Sequence, residues 1–301
     1  MKRLIVNADD FGLTLGVNQA IAACHEHGIV SSATLMATGR RLDEAAALAR
    51  SLPGLGVGCH VVLVDGEPVL PVDRVRSLLA PGGKRFYQTI GEVLWAVARG
   101  RYRADEIEAE AGAQMAKLRE AGVRLTHFDS HKHTHMFPRM LRPMLSAAAA
   151  HGIVAVRNPF EAPGVVTLPA AMGDRTLLMR KAQTAVLRAL LRKRWLKVVE
   201  ESGFATTDGS LGVASTGTLT EARLRQMLRG MPEGSWELVC HPGYNDAELA
   251  EVRTRLKASR EVEMRALESM TERELREEFG IELAAFGERL DGARVGEHKP
   301  Q

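Results

Sequence analysis

The densest group of chemically active side chains in the sequence lies at residues 126–135, THFDSHKHTH, which contain four of the chain's ten histidines and an aspartate. In an extended strand alternate residues share a face, so Asp129, His131, His133 and His135 would project to one side. Same-face Cα atoms are about 7 Å apart, so one metal ion would bind one or two of these imidazoles and take its other ligands from elsewhere. A solvated, histidine-rich loop is the alternative interpretation.

Three further polar clusters follow predicted strands: Asp9-Asp10, His60 and His241. Each cluster alone has an ordinary structural explanation. The two aspartates would serve as turn or N-cap residues, His60 as a hydrogen-bonded core histidine, and His241 as a turn residue before Pro242. However, the carboxyl ends of parallel strands open on one rim of a barrel or sheet. All four clusters together therefore indicate a single site.

The elements that must position these clusters are short apolar runs alternating with segments of helical periodicity, a pattern typical of parallel β-α units. No internal repeat or linker divides them, so we expect one α/β domain with insertions. The predicted strands are 4–6, 32–36, 56–63, 125–129, 153–156, 210–215, 236–240 and 281–286; the predicted helices are 17–27, 41–51, 91–98, 105–121, 139–150 and 247–278, with another opening at Thr220.

Composition is that of a globular protein: 301 residues, 45% hydrophobic and 26% charged, with a formal net charge of +3. No basic tail or basic-aromatic patch indicates a nucleic-acid partner. The three cysteines are odd in number and far apart, which favours a reduced compartment over a disulfide framework. The apolar run after Met1 is too short for a signal peptide, and no run is long enough to span a membrane. We therefore expect a cytoplasmic protein.

Other hydrolytic chemistries are disfavoured. Cys59 and Cys240 each directly precede a histidine of the predicted site, so strand alternation should turn both thiols away from it. This argues against a cysteine nucleophile. A serine nucleophile elbow and a glycine-rich phosphate loop are both missing from the appropriate sequence context.

The motifs in order resemble those of the YdjC/ChbG carbohydrate deacetylases. They are NADDFG at 7–12, GCHVVL at 58–63, HFDSHKHTH at 127–135 and CHP at 240–242, and together they span residues 3 to about 245. RNPF at 157–160 also resembles the Arg-x-Pro-aromatic motif of the wider polysaccharide deacetylases.

This resemblance implies a distorted (β/α) barrel, like a TIM barrel with fewer or irregular strands, over residues 1–290. An irregular helical insertion would lie at about 161–209, and a flexible tail at 291–301. Residues 61–71 and 219–224 resemble the HpnK branch associated with hopanoid biosynthesis, which implies removal of an N-acetyl group from N-acetylglucosaminyl hopanoid, a bacteriohopanetetrol glycoside. A chito-oligosaccharide such as chitobiose is the alternative substrate.

The resemblance also implies roles for individual residues. Asp10, His60 and His131 would hold one divalent ion, Zn²⁺ by preference and otherwise Mg²⁺ or another divalent ion, which would activate the attacking water. Asp9 would be the general base and His241 the general acid that protonates the leaving amine.

Four more residues have open roles. Asp129 is a candidate to orient an imidazole by accepting its distal N–H. Arg157 would orient Asp9 or a sugar hydroxyl, or form a structural salt bridge. His133 and His135 would line the substrate pocket, bind a second ion or simply pack.

The basic segment 180–197 is consistent with an amphipathic helix packed on the barrel or with a peripheral contact to an anionic membrane, where a lipid-linked sugar would reside. Two other functions remain alternatives: a metal-dependent phosphoesterase and a non-catalytic metal- or sugar-binding protein. The sequence leaves the oligomeric state open, a homo-oligomer included.

Overall fold

The strand at the centre of the molecule is β1 (Lys2–Phe11), whose residues from Leu4 onward are buried. A computed structural model describes residues 1–163 and 175–288. Every strand pair in this part of the chain is parallel. The other strands are β2 (Ser32–Leu35), β3 (Gly56–Val61), β4 (Phe128–Ser130), β5 (Gly209–Leu211), β6 (Gly234–Cys240) and β7 (Ile281–Ala284).

The sheet runs in the order β4-β3-β2-β1-β6-β5. β7 pairs with Lys2–Ile5 of β1, and β2 pairs with β1 from Asn7 onward, so two strands share one edge of β1. Residues 155–162 join the outer strands: Arg157 N donates to Phe128 O (3.1 Å) and Ser210 N donates to Phe160 O (2.9 Å). The sheet therefore curls into a distorted (β/α) barrel, which confirms the predicted fold class.

Helices cover the outside of the sheet. They are α1 (Leu15–His27), α2 (Leu42–Ser51), α3 (Ile90–Ala98), α4 (Ala104–Glu120), α5 (Pro138–Ala150), α6 (Arg175–Glu201), α7 (Glu221–Gly230), α8 (Ala247–Glu251), α9 (Ala258–Glu268) and α10 (Glu272–Phe279). Thr14, which accepts a hydrogen bond from Val17 N, caps α1 directly after the β1 loop. The core is continuous between the two layers, and α4 packs closely on α5.

Several predicted elements differ from the structure. The strand predicted at 210–215 ends at Leu211, and the strand predicted at 125–129 begins at Phe128. The predicted helix at 247–278 is three helices, because Val252 and Lys257 leave the helical conformation and Thr271 caps a new helix start. The predicted strand at 153–156 forms only single bridges, at Ala155 and Val156, to its neighbours.

The predicted insertion at 161–209 contains the long helix α6, while residues 164–174 lie outside the described residues. The predicted tail at 291–301 also lies outside the described residues. The bounds of the insertion and of the tail therefore stay predictions. Across residues 1–163 and 175–288, no helix combines the length and the apolar character needed to cross a bilayer.

Candidate active site

Asp9 and Asp10 end β1, and their carboxylates diverge. Asp10 adopts a left-handed conformation with φ of +66°, which aspartate tolerates better than most residues. Asp9 faces Arg157, whereas Asp10 Oδ1 faces His60 and His131. Adjacent carboxylates are thus delivered to two different partners.

Asp10, His60 and His131 bring three potential ligand atoms together. His60 Nε2 lies 3.3 Å from His131 Nδ1 and 3.7 Å from Asp10 Oδ1, and His131 Nδ1 lies 3.5 Å from the same oxygen. Ligand atoms about 2.0–2.1 Å from a tetrahedral Zn²⁺ would lie roughly 3.3 Å apart. The three residues therefore fit a divalent ion.

A second group, Asp9, His60 and Asp129, is also close enough to hold an ion. Here, however, both carboxylates are bound by the buried guanidinium of Arg157. In the group of Asp10, His60 and His131, by contrast, an arginine binds only the second oxygen of Asp10, and the three potential ligand atoms face one another.

The histidine-rich segment does not continue as an extended strand, and this prediction was wrong. β4 ends at Ser130, and His131–Met136 form 3₁₀ turns in which Lys132 and His133 have φ of +53° and +54°. Ser130 Oγ accepts from His135 N at 2.9 Å and so tightens this turn. Alternation of side chains therefore stops at Ser130.

As a result, His133 and His135 lie in different places. His133 lines the cavity. His135 is fully buried beneath it, with Nδ1 2.6 Å from Ser130 Oγ. Burial lowers the pKa of His133 to about 3 and the pKa of His135 well below its ordinary value. Neither ring lies with the three potential ligands.

Asp129 orients His60. Its Oδ1 lies 2.6 Å from His60 Nδ1, and because a carboxylate only accepts, Nδ1 carries the hydrogen and Nε2 faces the possible ion. Burial alone would lower the pKa of His60, but the charges of Asp129, Asp9 and Asp10 raise it to about 9.

Arg157 is fully buried and contacts three carboxylates. It donates to both oxygens of Asp9 (2.9 and 2.6 Å), to Glu237 Oε1 (2.6 Å) and to Asp129 Oδ2. Burial would raise the pKa of Asp9, but Arg157 outweighs it and holds the pKa well below its usual range. Asp9 is thus ionised at neutral pH.

His241 follows β6 and lines the same cavity as the three potential ligands. Its Nε2 is 3.7 Å from Asp9 Oδ2, and its Nδ1 is 3.8 Å from Glu263 Oε2. Glu263 also accepts from the backbone N–H of His241 at 2.7 Å. The structure therefore brings Asp9 and His241 together beside the three potential ligands.

Sequence reasoning missed three charged residues around the site. Arg260 on α9 binds Asp10 Oδ2, Glu263 supports His241, and Glu237 on β6 binds Arg157. A signal existed on α9, because Arg260 and Glu263 share a helical face with the buried Leu267. Glu237 lies in a short strand with apolar neighbours, where one acidic residue does not indicate a partner.

All three cysteines are free and buried, as expected. Cys59 lies within β3 and Cys240 Sγ lies 3.4 Å from Asn7 O, and burial raises the pKa of both thiols well above the ordinary value. Neither thiol lines the cavity.

The polar groups line the floor of a cavity of about 830 Å³. Asp9, Asp10, His60, His131 and His241 all face it. The volume suits a sugar-sized ligand.

A second space of about 780 Å³ adjoins this cavity, and we call it the apolar groove. Four residues line both spaces: Lys132, His133, Val213 and Arg255. The walls of the groove come mainly from α3, α6 and the segment before α5, through Ile90, Leu94, Met136, Phe137, Val186 and Leu187.

Comparison with known proteins shows carbohydrate deacetylases among the relatives. A chitooligosaccharide deacetylase of Enterobacter sp. (strain 638) is 43% identical over 158 residues, 52% of this chain and 59% of that protein. A carbohydrate deacetylase of Brevibacillus brevis is 41% identical over 158 residues, covering 52% and 60%. The matched segment thus spans less than two thirds of these relatives' own lengths.

Other matches cover nearly the whole chain. A carbohydrate deacetylase of Thermoanaerobacter pseudethanolicus is 26% identical over 270 residues, 89% of this chain and 91% of that protein. A crystal structure from Enterococcus faecalis V583, of a candidate cellobiose-phosphate cleavage protein, has a TM-score of 0.71 at 28% identity, covering 95% and 97%. The model of the YdjC-like protein family matches residues 3–278, which confirms the expected family. The chain belongs to the YdjC-like protein family.

Proposed function

We infer that the protein is a metal-dependent hydrolase that removes the N-acetyl group from an N-acetylglucosamine-type sugar. The observation that carries this proposal is the approach of Asp10, His60 and His131 to one another beside the buried Asp9 and the partly buried His241. The carbohydrate and chitooligosaccharide deacetylases among the relatives support the substrate class.

Asp10, His60 and His131 would hold the ion, Zn²⁺ by preference, with Mg²⁺ or another divalent ion as the alternative. When bound, the ion would lower the pKa of a water molecule and polarise the acetyl carbonyl. Asp129 fixes the His60 ring, and Arg260 holds the second oxygen of Asp10, so two of the three ligands are oriented by other residues.

Asp9 and His241 would move the protons. Asp9 is ionised and held by Arg157, so it can accept a proton from the attacking water. His241 Nε2 faces the same cavity 3.7 Å from Asp9 and would donate a proton to the departing nitrogen. Water adds to the carbonyl carbon, the C–N bond breaks, and acetate and a free amine leave.

The proposed substrate is N-acetylglucosaminyl hopanoid, with a chito-oligosaccharide such as chitobiose as the alternative. The apolar groove supports the hopanoid, because it adjoins the cavity and provides apolar walls for a non-sugar aglycone. The names of the relatives support the chito-oligosaccharide. Because of the groove, we place the hopanoid glycoside before the chito-oligosaccharide as the proposed substrate.

The test is acetate release from both substrates by the wild type and by Leu94→Glu, which places a charge in the groove wall. We expect kcat/KM for the hopanoid glycoside to fall at least about tenfold in the variant, while activity on chitobiose is unchanged. Val154→Glu, an exposed valine away from both spaces, is the control. Equal activity of wild type and Leu94→Glu on the glycoside would contradict the groove's role.

Metal content separates this proposal from the two alternative functions. A phosphoesterase with a two-metal site requires two ions about 3.5–4 Å apart, but Arg157 occupies the carboxylates of the second candidate group. We expect one ion per chain. Two ions with phosphate release would favour the phosphoesterase, and one ion without acetate release would favour a binding protein.

A further inference from the structure

Helix α6 presents an apolar face to solvent. Its exposed residues from 179 to 190 recur at helical spacing and none is charged; they are Met179, Ala182, Gln183, Ala185, Val186, Ala189 and Leu190. The larger ones, Met179, Val186 and Leu190, are 65%, 57% and 71% exposed. A surface helix normally presents polar residues outward, so this face is typical of one that meets an apolar partner.

The opposite face of α6 fastens the helix to the barrel. Trp195, Val198 and Val199 are buried there, and Trp195 Nε1 donates to His135 O at 2.9 Å. Hence the outward face is not needed to hold α6 in place.

The cations of α6 divide into two groups. Arg180, Arg188 and Arg192 donate to backbone carbonyls of the barrel, of Thr216, Glu161 and Asp208, and so help to fix the helix. In contrast, Lys193, Arg194 and Lys197 are exposed and continue the apolar face by one to two turns. The outward face is therefore apolar from Met179 to Leu190 and carries exposed cations from Lys193 to Lys197, before the exposed Glu200 and Glu201, the latter 3.7 Å from Lys197 Nζ.

Helix α3, which contributes Ile90 and Leu94 to the apolar groove, has an exposed aromatic residue next to these two. α3 carries Trp95, which is 49% exposed, with the Arg99 guanidinium 3.8 Å from its ring centre. Amphipathic aromatic rings and long cationic side chains are the residues that suit the boundary between headgroups and acyl chains.

We propose that the exposed face of α6 docks on an anionic lipid surface, with Met179, Val186 and Leu190 entering the headgroup boundary and Lys193, Arg194 and Lys197 contacting acidic headgroups. Charge complementarity selects this partner, because acidic headgroups neutralise exposed cations, whereas the exposed face from Met179 to Lys197 of a second copy carries no anion to meet Lys193 and Arg194. Val186 lies on this face and also lines the apolar groove, so docking would place the groove beside the lipid. The inference stands on surface composition and not on the reaction proposed for the cavity.

The test is co-sedimentation of the full chain with vesicles of phosphatidylcholine containing about 30% phosphatidylglycerol, and with phosphatidylcholine alone. We expect wild type to bind the anionic vesicles and to bind less as salt rises. Val186→Glu/Leu190→Glu should weaken binding at least about tenfold. Val154→Glu makes the same change at another exposed valine, 64% exposed, and should bind as wild type.

A second variant, Lys193→Gln/Arg194→Gln/Lys197→Gln, tests the charged end alone and should also lose at least about tenfold in binding. Thermal melting checks that each variant folds. The proposal is overturned if wild type ignores anionic vesicles or if both multiple variants bind them as wild type does. It is also overturned if wild type is a dimer that Val186→Glu/Leu190→Glu dissociates and neither protein binds vesicles, because the face then pairs two copies.

Discussion

Arg157 donates to both carboxylate oxygens of Asp9, at 2.9 and 2.6 Å, in a fully buried bidentate pair. The same guanidinium contacts Asp129, which orients His60, and Glu237 beneath the site. One cation thus holds the proposed base and the residue that orients a proposed metal ligand. A single side chain from the segment between β4 and β5 thus links Asp9 to the residue that orients His60.

Removal of this cation should be costly. Arg157→Gln leaves three buried carboxylates without their shared partner, so we expect the free energy of unfolding to fall by roughly 3–5 kcal/mol. Arg142→Gln breaks the exposed pair with Glu201 (3.2 Å) and should cost about 0–1 kcal/mol. Urea denaturation of both variants measures the difference. Similar small losses would show that the buried cluster contributes no more than a surface pair.

Metal binding should depend on one histidine of the dense segment and not on its neighbour. His131→Gln removes a proposed ligand, so we expect affinity for Zn²⁺ to fall by about 100-fold or more, since even loss of a residue that only orients a ligand costs 10–100-fold. His133→Gln changes a residue that lines the same cavity and should retain affinity within a few-fold. Titration calorimetry compares them. An equal loss of Zn²⁺ affinity in the two variants would contradict the proposal that His131 is a ligand and His133 is not.

Acid should destabilise the protein through its buried histidines. Burial lowers the pKa of His135, so the folded ring stays neutral while the unfolded one takes a proton below about pH 6.5. Stability from this residue is therefore present above that pH and lost as pH falls. We expect stability of the wild type to fall by about 1 kcal/mol per pH unit more than that of His135→Gln between about pH 6 and 5.

Urea denaturation at each pH, with a chelator present, measures this slope. Burial raises the pKa of Glu237 to about 7, so its contribution has the opposite sign, but it is common to both proteins and cancels in the comparison. His27→Gln changes an exposed histidine and should leave the slope of the wild type unaltered. If the free energy of unfolding of His135→Gln changes with pH as steeply as that of the wild type, the His135 ring is not neutral in the folded protein.

Much of the fold follows from local pattern, since short apolar runs ending in polar residues mark β1, β3 and β6 directly. The convergence of Asp10, His60 and His131 follows from the rule that parallel strands deliver their carboxyl ends to one rim. By contrast, the course of residues 131–136 depends on the Ser130 hydrogen bonds and on left-handed Lys132 and His133, which periodicity does not encode.

The supporting charges were less predictable for a different reason. Arg260 reaches Asp10 from α9, 250 residues away in sequence, and its partner is defined only when α9 packs on the barrel. Similarly, the apolar outward face of α6 appears only when the packed side of the helix is known. These features depend on tertiary contacts.

In the proposed mechanism, Asp9 acts as the base beside an ion held by three other residues. The most direct test measures acetate release and metal content together, in wild type and Asp9→Asn reconstituted with Zn²⁺. We predict about one ion per chain in both proteins, and a rate lower by about 10²–10⁴ in Asp9→Asn, the range for general base catalysis. Acetate release at the wild-type rate by metal-loaded Asp9→Asn would contradict the account.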